Sequence, residues 1–450
     1  MAIDYIPHTD EDRQAMMAAI GIRSIEELFA DIPEPLRLRR PLDLPPPLSE
    51  PELVAHLEEL AAANGAASMV CFLGGGVYDH FVPSVVPYLA GRGEFATAYT
   101  PYQPEVSQGT LRAIFEFQTM IAELTGLDVA NASMYDGATA LTEAALMAVN
   151  VARRERIVAC GGVHPEARQV LATYAAGQRL PVVEVPVDPQ QGTTDLAALE
   201  RALAGGDVAC VLVQQPNFYG CLEPVHAIAE RVKAAGALLV VSADPISLGL
   251  LEAPGRYGAD IVVGDGQSLG LPMAYGGPHF GFFACRAEHV RRMPGRIVGQ
   301  TVDREGRTGY VLTLQTREQH IRRDRATSNI CTNHSLMALA GTIYLAALGP
   351  RGLRRVAELC LHKAHYLAEQ IERLPGFRRV FAAPFFKEFV IACDRPGFDP
   401  AAAARRAGYL VGPDLGRWEP ARRGQLLVAV TEQRTRRQLD GLVAAWEVSA

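Results

Sequence analysis

The chain has 450 residues, 49% of them hydrophobic, enough for two domains or one large domain with extensions. A formal net charge of -7 and a pI near 5.9 give no electrostatic reason to expect nucleic acid or an anionic membrane as partner. The eight cysteines include no CxxC pair, no apolar run approaches the ~20 residues of a bilayer span, and "MAIDYIPHTDEDRQ" lacks the basic and apolar regions of a signal peptide. A soluble, cytoplasmic protein without a disulfide frame or metal site is therefore expected.

Residues 1–65 read as a discontinuous helical arm. "TDED" (9–12), "SIEE" (24–27) and "SEPE" (49–52) each fit a capping box, and Gly21 can stop the first helix. "PLDLPPPLSEP" (41–51) is too proline-rich for helix or inner strand and reads as an extended link to a third helix ending near Gly65. Residues 66–105 look irregular. "SQGTLRAIFEFQTMIAELTGL" (107–127) has helical spacing, with Leu111, Ile114, Phe115, Gln118, Ile121 and Ala122 on one face and Gly126 closing it.

From about 130 to 266, apolar strands alternate with amphipathic helices: "RIVACGG", "PVVEVPVD", "VACVLVQQPN", "ALLVVSAD" and "DIVVGDG", with "FGFFACR" as a further strand. That pattern predicts a mostly parallel sheet covered on both faces. An arginine-rich connector (313–336) leads to helices near 334–347 and 351–373. Short strands "EFVIAC" and "LLVAVT" and helices near 399–407 and 433–446 complete a smaller C-terminal α/β region. The expected division is 1–65, 66–330 and 331–450.

Ligands of open α/β sheets bind at the carboxyl ends of the strands. His164, Asn217, Asp244 and Asp265 to Ser268 map there. "DGAT" (136–139) opens a helix, so Gly137 and Thr139 are placed for a phosphate. His164 could stack on a ring, and Asp244 could hold a pyridine nitrogen protonated. This set suits a pyridoxal phosphate (PLP) enzyme, which also needs a Schiff-base lysine. Only Lys233, Lys363 and Lys387 are lysines among 43 basic residues. Lys233 precedes Asp244, and the others lie over a hundred residues beyond it. The loop where the lysine belongs reads "GDGQSLGLP", with Gln267 and Ser268 at its place. The same residues are equally readable as helix starts and strand-end turns. A nicotinamide-binding Rossmann fold competes, but "LGGGVY" lacks the GxGxxG spacing. His362 and His365 lack nearby carboxylates and read as a solvated face. Tyr99, Tyr102, Gln103 and Glu105 crowd a proline-punctuated loop suited to a substrate pocket or subunit contact. Arg317, Arg322, Arg323 and Arg325 could clamp an anion or form an interface.

The segments "YTPYQPEVSQGTL" (99–111), "TGLDVANASMYDGATALTEA" (125–144), "GADIVVGDGQSLGLPMAYGGPHFGFFA" (258–284), "MPGRIVGQT" (293–301) and "LQTREQHIRRDRATSNICT" (314–332) together resemble the P-protein family of the glycine cleavage system, in its N-terminal-half, subunit 1 form. The resemblance implies a fold-type I PLP-transferase-like architecture: a large sheet domain and a smaller C-terminal domain. It also implies glycine decarboxylation with transfer of the aminomethyl group to the lipoyl arm of H-protein. PLP would sit on a partner, subunit 2, in an expected α2β2 assembly. Gly137, Thr139, His164 and Asp244 would then be relics of a duplicated cofactor site, and Tyr99, Tyr102, Gln103 and Glu105 would face a composite pocket. A self-sufficient PLP enzyme and a purely structural subunit are the alternatives.

Overall fold

The structure is a computed structural model describing residues 7–331 and 333–448. Chain contacts divide it into two compact units, 1–65 and 66–450.

In the first unit, Asp10–Ile20 is a helix opened by the Thr9–Asp12 capping box and ended by Gly21 at φ 85. Glu50–Ala62 is opened by the Ser49–Glu52 box. The third expected box differs. Ser24 makes no side-chain cap, and Ile25–Phe29 is a 3-10 turn. There Glu27 reaches back to the Arg23 amide instead. No described residue of this unit is buried.

In the second unit, β1 (Val70–Leu73) precedes a seven-stranded sheet of β2 (Val129–Ala130), β3 (Arg156–Cys160), β4 (Val182–Val185), β5 (Val208–Gln215), β6 (Leu238–Ala243), β7 (Ile261–Asp265) and β8 (Gly281–Cys285). The spatial order is β2-β8-β7-β6-β5-β3-β4. The strands β4, β3, β5, β6 and β7 are parallel, whereas β8 is antiparallel to both β7 and β2. Successive residues feed opposite faces. Val211, Val241 and Val262 enter one core layer, and Leu212, Val240 and Ile261 the other. The helix Gly137–Ala152 covers the second layer, and Gln108–Thr125 covers the first. The first layer includes Phe117, which the face read from sequence omitted, whereas Ile114 and Phe115 are only half-buried.

A hairpin of β9 (Ile297–Val302) and β10 (Thr308–Thr313) follows. Next comes Ser335–Glu372, one helical run broken at Gly349 (φ 59) and Pro350. By length and composition it is long and apolar enough to cross a membrane. Ala338, Ala340, Tyr344, Leu353, Ala357 and Cys360 nonetheless lie in the core, as in a core helix.

Near the C-terminus, β11 (Phe377–Arg379), β12 (Glu388–Cys393) and β14 (Leu426–Ala429) form an antiparallel sheet. The strand β13 (Tyr409–Gly412) pairs in parallel with β1. Thus the segment after residue 69, which looks irregular in sequence, is stitched to strands more than three hundred residues later.

Candidate functional site

A cavity of about 260 Å³ opens at the carboxyl ends of β3, β5, β6 and β7, the location favoured by α/β topology. Its wall includes Gly137, His164, Asp244, Asp265 and Ser268 from the sheet side. Gly75 to Tyr78 and Phe386 to Glu388 close it from the C-terminal side. The structure therefore gathers most of the residues singled out for a cofactor site.

Gly137, His164, Asp244 and Asp265 are already engaged. The helix Gly137–Ala152 begins with Asp136, whose carboxylate accepts from the Thr139 amide. The Thr139 hydroxyl turns back onto Asp136, so it caps the helix rather than lining the cavity. The Gly137 amide, the best placed for an anion, donates to Asp265 Oδ2 at 3.0 Å. Asp265 Oδ1 accepts from the Gln267 amide at 2.9 Å. Burial raises the Asp265 carboxyl above its usual range, and those two amides oppose the shift.

Asp244 does not present an open carboxylate. Lys387 Nζ lies 2.7 Å from its Oδ2, with the lysine side chain 1% exposed. The same ammonium is 3.1 Å from His80 Nε2 and 3.6 Å from the Tyr78 ring centroid. His80 Nδ1 is 2.6 Å from Glu432 Oε2, and Glu432 Oε1 accepts from the Phe81 amide. Burial raises the Glu432 carboxyl, but the hydrogen bonds from His80 and the Phe81 amide outweigh it and hold the group below the usual carboxylate range. Burial, followed by the Lys387 charge, lowers the His80 imidazole. The result is a chain of polar contacts, Asp244–Lys387–His80–Glu432, with Lys387 and His80 buried at its centre. Sequence distance made Lys387 look remote from the cavity; the structure places it inside.

His80, Cys360 and Glu432 have ligand atoms within 4.8 Å of one another. Both ring nitrogens of His80 are already taken by Glu432 and Lys387, which disfavours a metal there. His365 sits against the Phe385 carbonyl, and its ring stacks on Phe385.

His164 caps the helix Pro165–Gln178, its Nδ1 accepting from the Glu166 amide at 3.1 Å. That leaves Nε2 as the donor to the Gly75 carbonyl at 2.9 Å. Its ring lines the cavity and packs edge-on to Phe218. Gln267 is buried and exchanges two hydrogen bonds with the Tyr78 backbone, with a third to the Leu271 carbonyl. Ser268 lines the cavity. Beside them, Glu388 accepts from the Gly75 amide and the Tyr78 hydroxyl, and burial pushes its carboxyl up to about 7. Tyr78, His80 and Glu388 lay outside the sequence reading, and Lys387 was set aside there as too far beyond Asp244. The adjacent pair Lys387-Glu388 within "FFKEFV" was the available signal.

These residues do not fit PLP as a resident of this cavity. The carboxylate that would meet its ring nitrogen is ion-paired, and the amide that would meet its phosphate already holds a carboxylate.

The tyrosine loop lies elsewhere. Tyr99 is 85% exposed and lines a second cavity of about 550 Å³ with Phe95, Phe117 and His334. The Tyr102 hydroxyl accepts from Arg296 at 3.1 Å, and its ring meets His320 edge-on. Gln103 and Glu105 are exposed around the 3-10 turn Pro104–Val106. The arginines do not form one clamp. Arg317 is buried, donating to the carbonyls of Met293, Gly295 and Leu314, while Arg322, Arg323 and Arg325 are exposed. Three of the five Arg317 donors serve backbone carbonyls, so it holds this connector to the 293–295 segment.

Residues 3–446 match the family described as glycine cleavage system P-protein. The chain belongs to that family. This P-protein chain is 56% identical over 444 residues to a probable glycine dehydrogenase (decarboxylating) subunit 1 of Moorella thermoacetica, covering 98% of each. It is 54% identical over 440 residues to the protein of the same name from Carboxydothermus hydrogenoformans, covering 98% of this chain. A crystal structure of glycine decarboxylase (P-protein) in inhibitor-bound form superposes with a TM-score of 0.88 at 48% identity, covering 100% of both chains. A Burkholderia pseudomallei sphingosine-1-phosphate lyase (TM-score 0.66, 92% of this chain and 94% of that one) is 16% identical. A Thermococcus onnurineus cysteine desulfurase (0.63, 85% and 95%) is 15% identical. These two show the fold alone, that of the fold-type I PLP-dependent enzymes.

Proposed function

We propose that the chain is subunit 1 of a heteromeric glycine dehydrogenase (decarboxylating) and that catalysis is centred on a partner subunit. Full-length similarity to a P-protein chain carries this reading. The engaged state of Asp244 and of the Gly137 amide supports siting the cofactor on the partner. The partner's PLP would supply the electron sink for loss of carbon dioxide from glycine. The aminomethyl group would then pass to the lipoyl disulfide of H-protein, which accepts the electrons. This chain would contribute one wall of the substrate pocket and half of the interface in an α2β2 assembly in the cytoplasm. Tyr99 and Tyr102 offer hydroxyls, and Gln103 and Glu105 polar groups, on the exposed loop that would form that wall.

Co-expression with its partner subunit tests the reading. The chain alone should be colourless, and the complex should be yellow and exchange the glycine carboxyl with bicarbonate. A yellow, borohydride-reducible chain that catalyses exchange by itself would refute it. Tyr99→Phe and Glu105→Gln in the complex should each lower turnover by about tenfold or more, in the range of lost positioning and acid–base contributions. Wild-type rates for both would remove the loop from the pocket and leave the chain a purely structural subunit.

A further inference from the structure

We propose that the cofactor-type cavity of this chain is closed by its own side chains. The Lys387 ammonium stands where a protonated pyridine ring would meet Asp244, and the Asp265 carboxylate stands where a phosphate would meet the helix amide. The inference deepens the reading that catalysis lies on a partner chain, and it concerns why this cavity takes no cofactor.

The argument is one of matched charge. A ring nitrogen and a phosphate are the two charged ends of PLP, and α/β cavities hold them with a strand-end carboxylate and helix amides. Here both receptors are intact and both are filled from within. Lys387 brings one positive charge to 2.7 Å from Asp244 at 1% exposure. Asp265 brings negative charge to 3.0 Å from the Gly137 amide. An incoming ligand would have to break a buried ion pair and leave a charge unpaired. Its phosphate would also face the Asp265 carboxylate. Exclusion therefore has two causes besides Gln267 in the β7 loop, and inserting a lysine at position 267 alone would not restore binding.

Lys387 is also in the wrong place to carry the cofactor covalently. The nitrogen of a pyridine ring and the carbon bearing the aldehyde are para to each other. An amine fixed on the nitrogen's partner is at the opposite end of the ring from the reactive carbon. His80 and the Tyr78 ring hold it there from two further directions.

Three lysines make the test clean. The full-length chain is incubated with pyridoxal 5'-phosphate, reduced with borohydride and mapped by peptide mass spectrometry. Exposed Lys233 should take the label and Lys387 should not. Labelling of Lys387 to the extent of Lys233 overturns the proposal. In the second arm, Lys387→Met combined with Asp265→Asn, folding verified by circular dichroism, should bind pyridoxal 5'-phosphate saturably and at least tenfold more tightly than wild type. That binding should survive borohydride without a covalent adduct. A folded double variant that binds no better than wild type also overturns it. If the double variant does not fold, the wild-type labelling decides. Neither arm measures turnover, so failure here is distinct from failure of the glycine-exchange assay.

Discussion

Glu388 shows how one buried carboxyl couples the cavity to pH. Burial raises it from the ordinary 4.5 to about 7, against hydrogen bonds from Gly75 and Tyr78. Because the folded chain holds this proton more tightly than the unfolded chain, stability falls as pH rises from 4.5 to about 7 and is then level. The gap corresponds to about 3 kcal/mol. Glu388→Gln keeps an acceptor for the Gly75 amide, turns the Tyr78 hydroxyl from donor to acceptor of the new NH2, and cannot ionise. Chemical denaturation at pH 5 and pH 8 should show a smaller loss in this variant than in wild type; equal losses would show that Glu388 does not set the slope. Arg317 illustrates a residue whose partners could not be read without its neighbours in space. Its donors serve the carbonyls of Met293, Gly295 and Leu314. Arg317→Met should cost about 2–4 kcal/mol in unfolding experiments, since buried carbonyls lose charged donors. Arg317→Lys should recover only part, because an ammonium lacks the planar fork. Asp244, His164 and Gly137 were legible as cavity residues because each follows a strand or opens a helix. Lys387 was marked only by its neighbour Glu388 in "FFKEFV", and nothing local marks His80.

At the scale of elements, the arm of residues 1–65 stands out. Its helices form by local signals, the Thr9 and Ser49 capping boxes and the Gly21 stop, and bury no described residue. Ile20, Phe29, Leu36, Leu44, Leu57 and Leu60 are all at least 47% exposed in the isolated chain. In the proposed heteromeric assembly this run of apolar side chains would be covered by the partner subunit. Deleting residues 1–65 should leave the unfolding transition of 66–450 within a few degrees of wild type. It should abolish co-purification with the partner subunit; an unchanged complex would assign the arm elsewhere. Short strands were the elements least visible in sequence. The two residues of β2 and the three of β11 are below the length at which alternation can be read, and the four of β1 are at its limit. They exist because a distant strand offers its hydrogen bonds, as β13 does for β1. The β5 strand, eight residues long and apolar throughout its centre, needed no such help.

At the scale of the molecule, the chain order and the spatial order diverge where function is decided. Hydrophobic period, capping residues and strand-end polar groups are local quantities. They sufficed for the alternating architecture, for the cavity at the carboxyl ends of the strands, and for the absence of lysine from the β7 loop. The folded chain alone brings Lys387 to Asp244 across 143 positions, and Glu388 to Gly75 across 313. Ion pairing and burial depend on distance in space, and sequence separation does not constrain that distance once strands pair across the whole chain. The sequence by itself therefore determined where the cavity lies and which strand-end groups meet there. Tertiary structure decided that its charged receptors are filled from within.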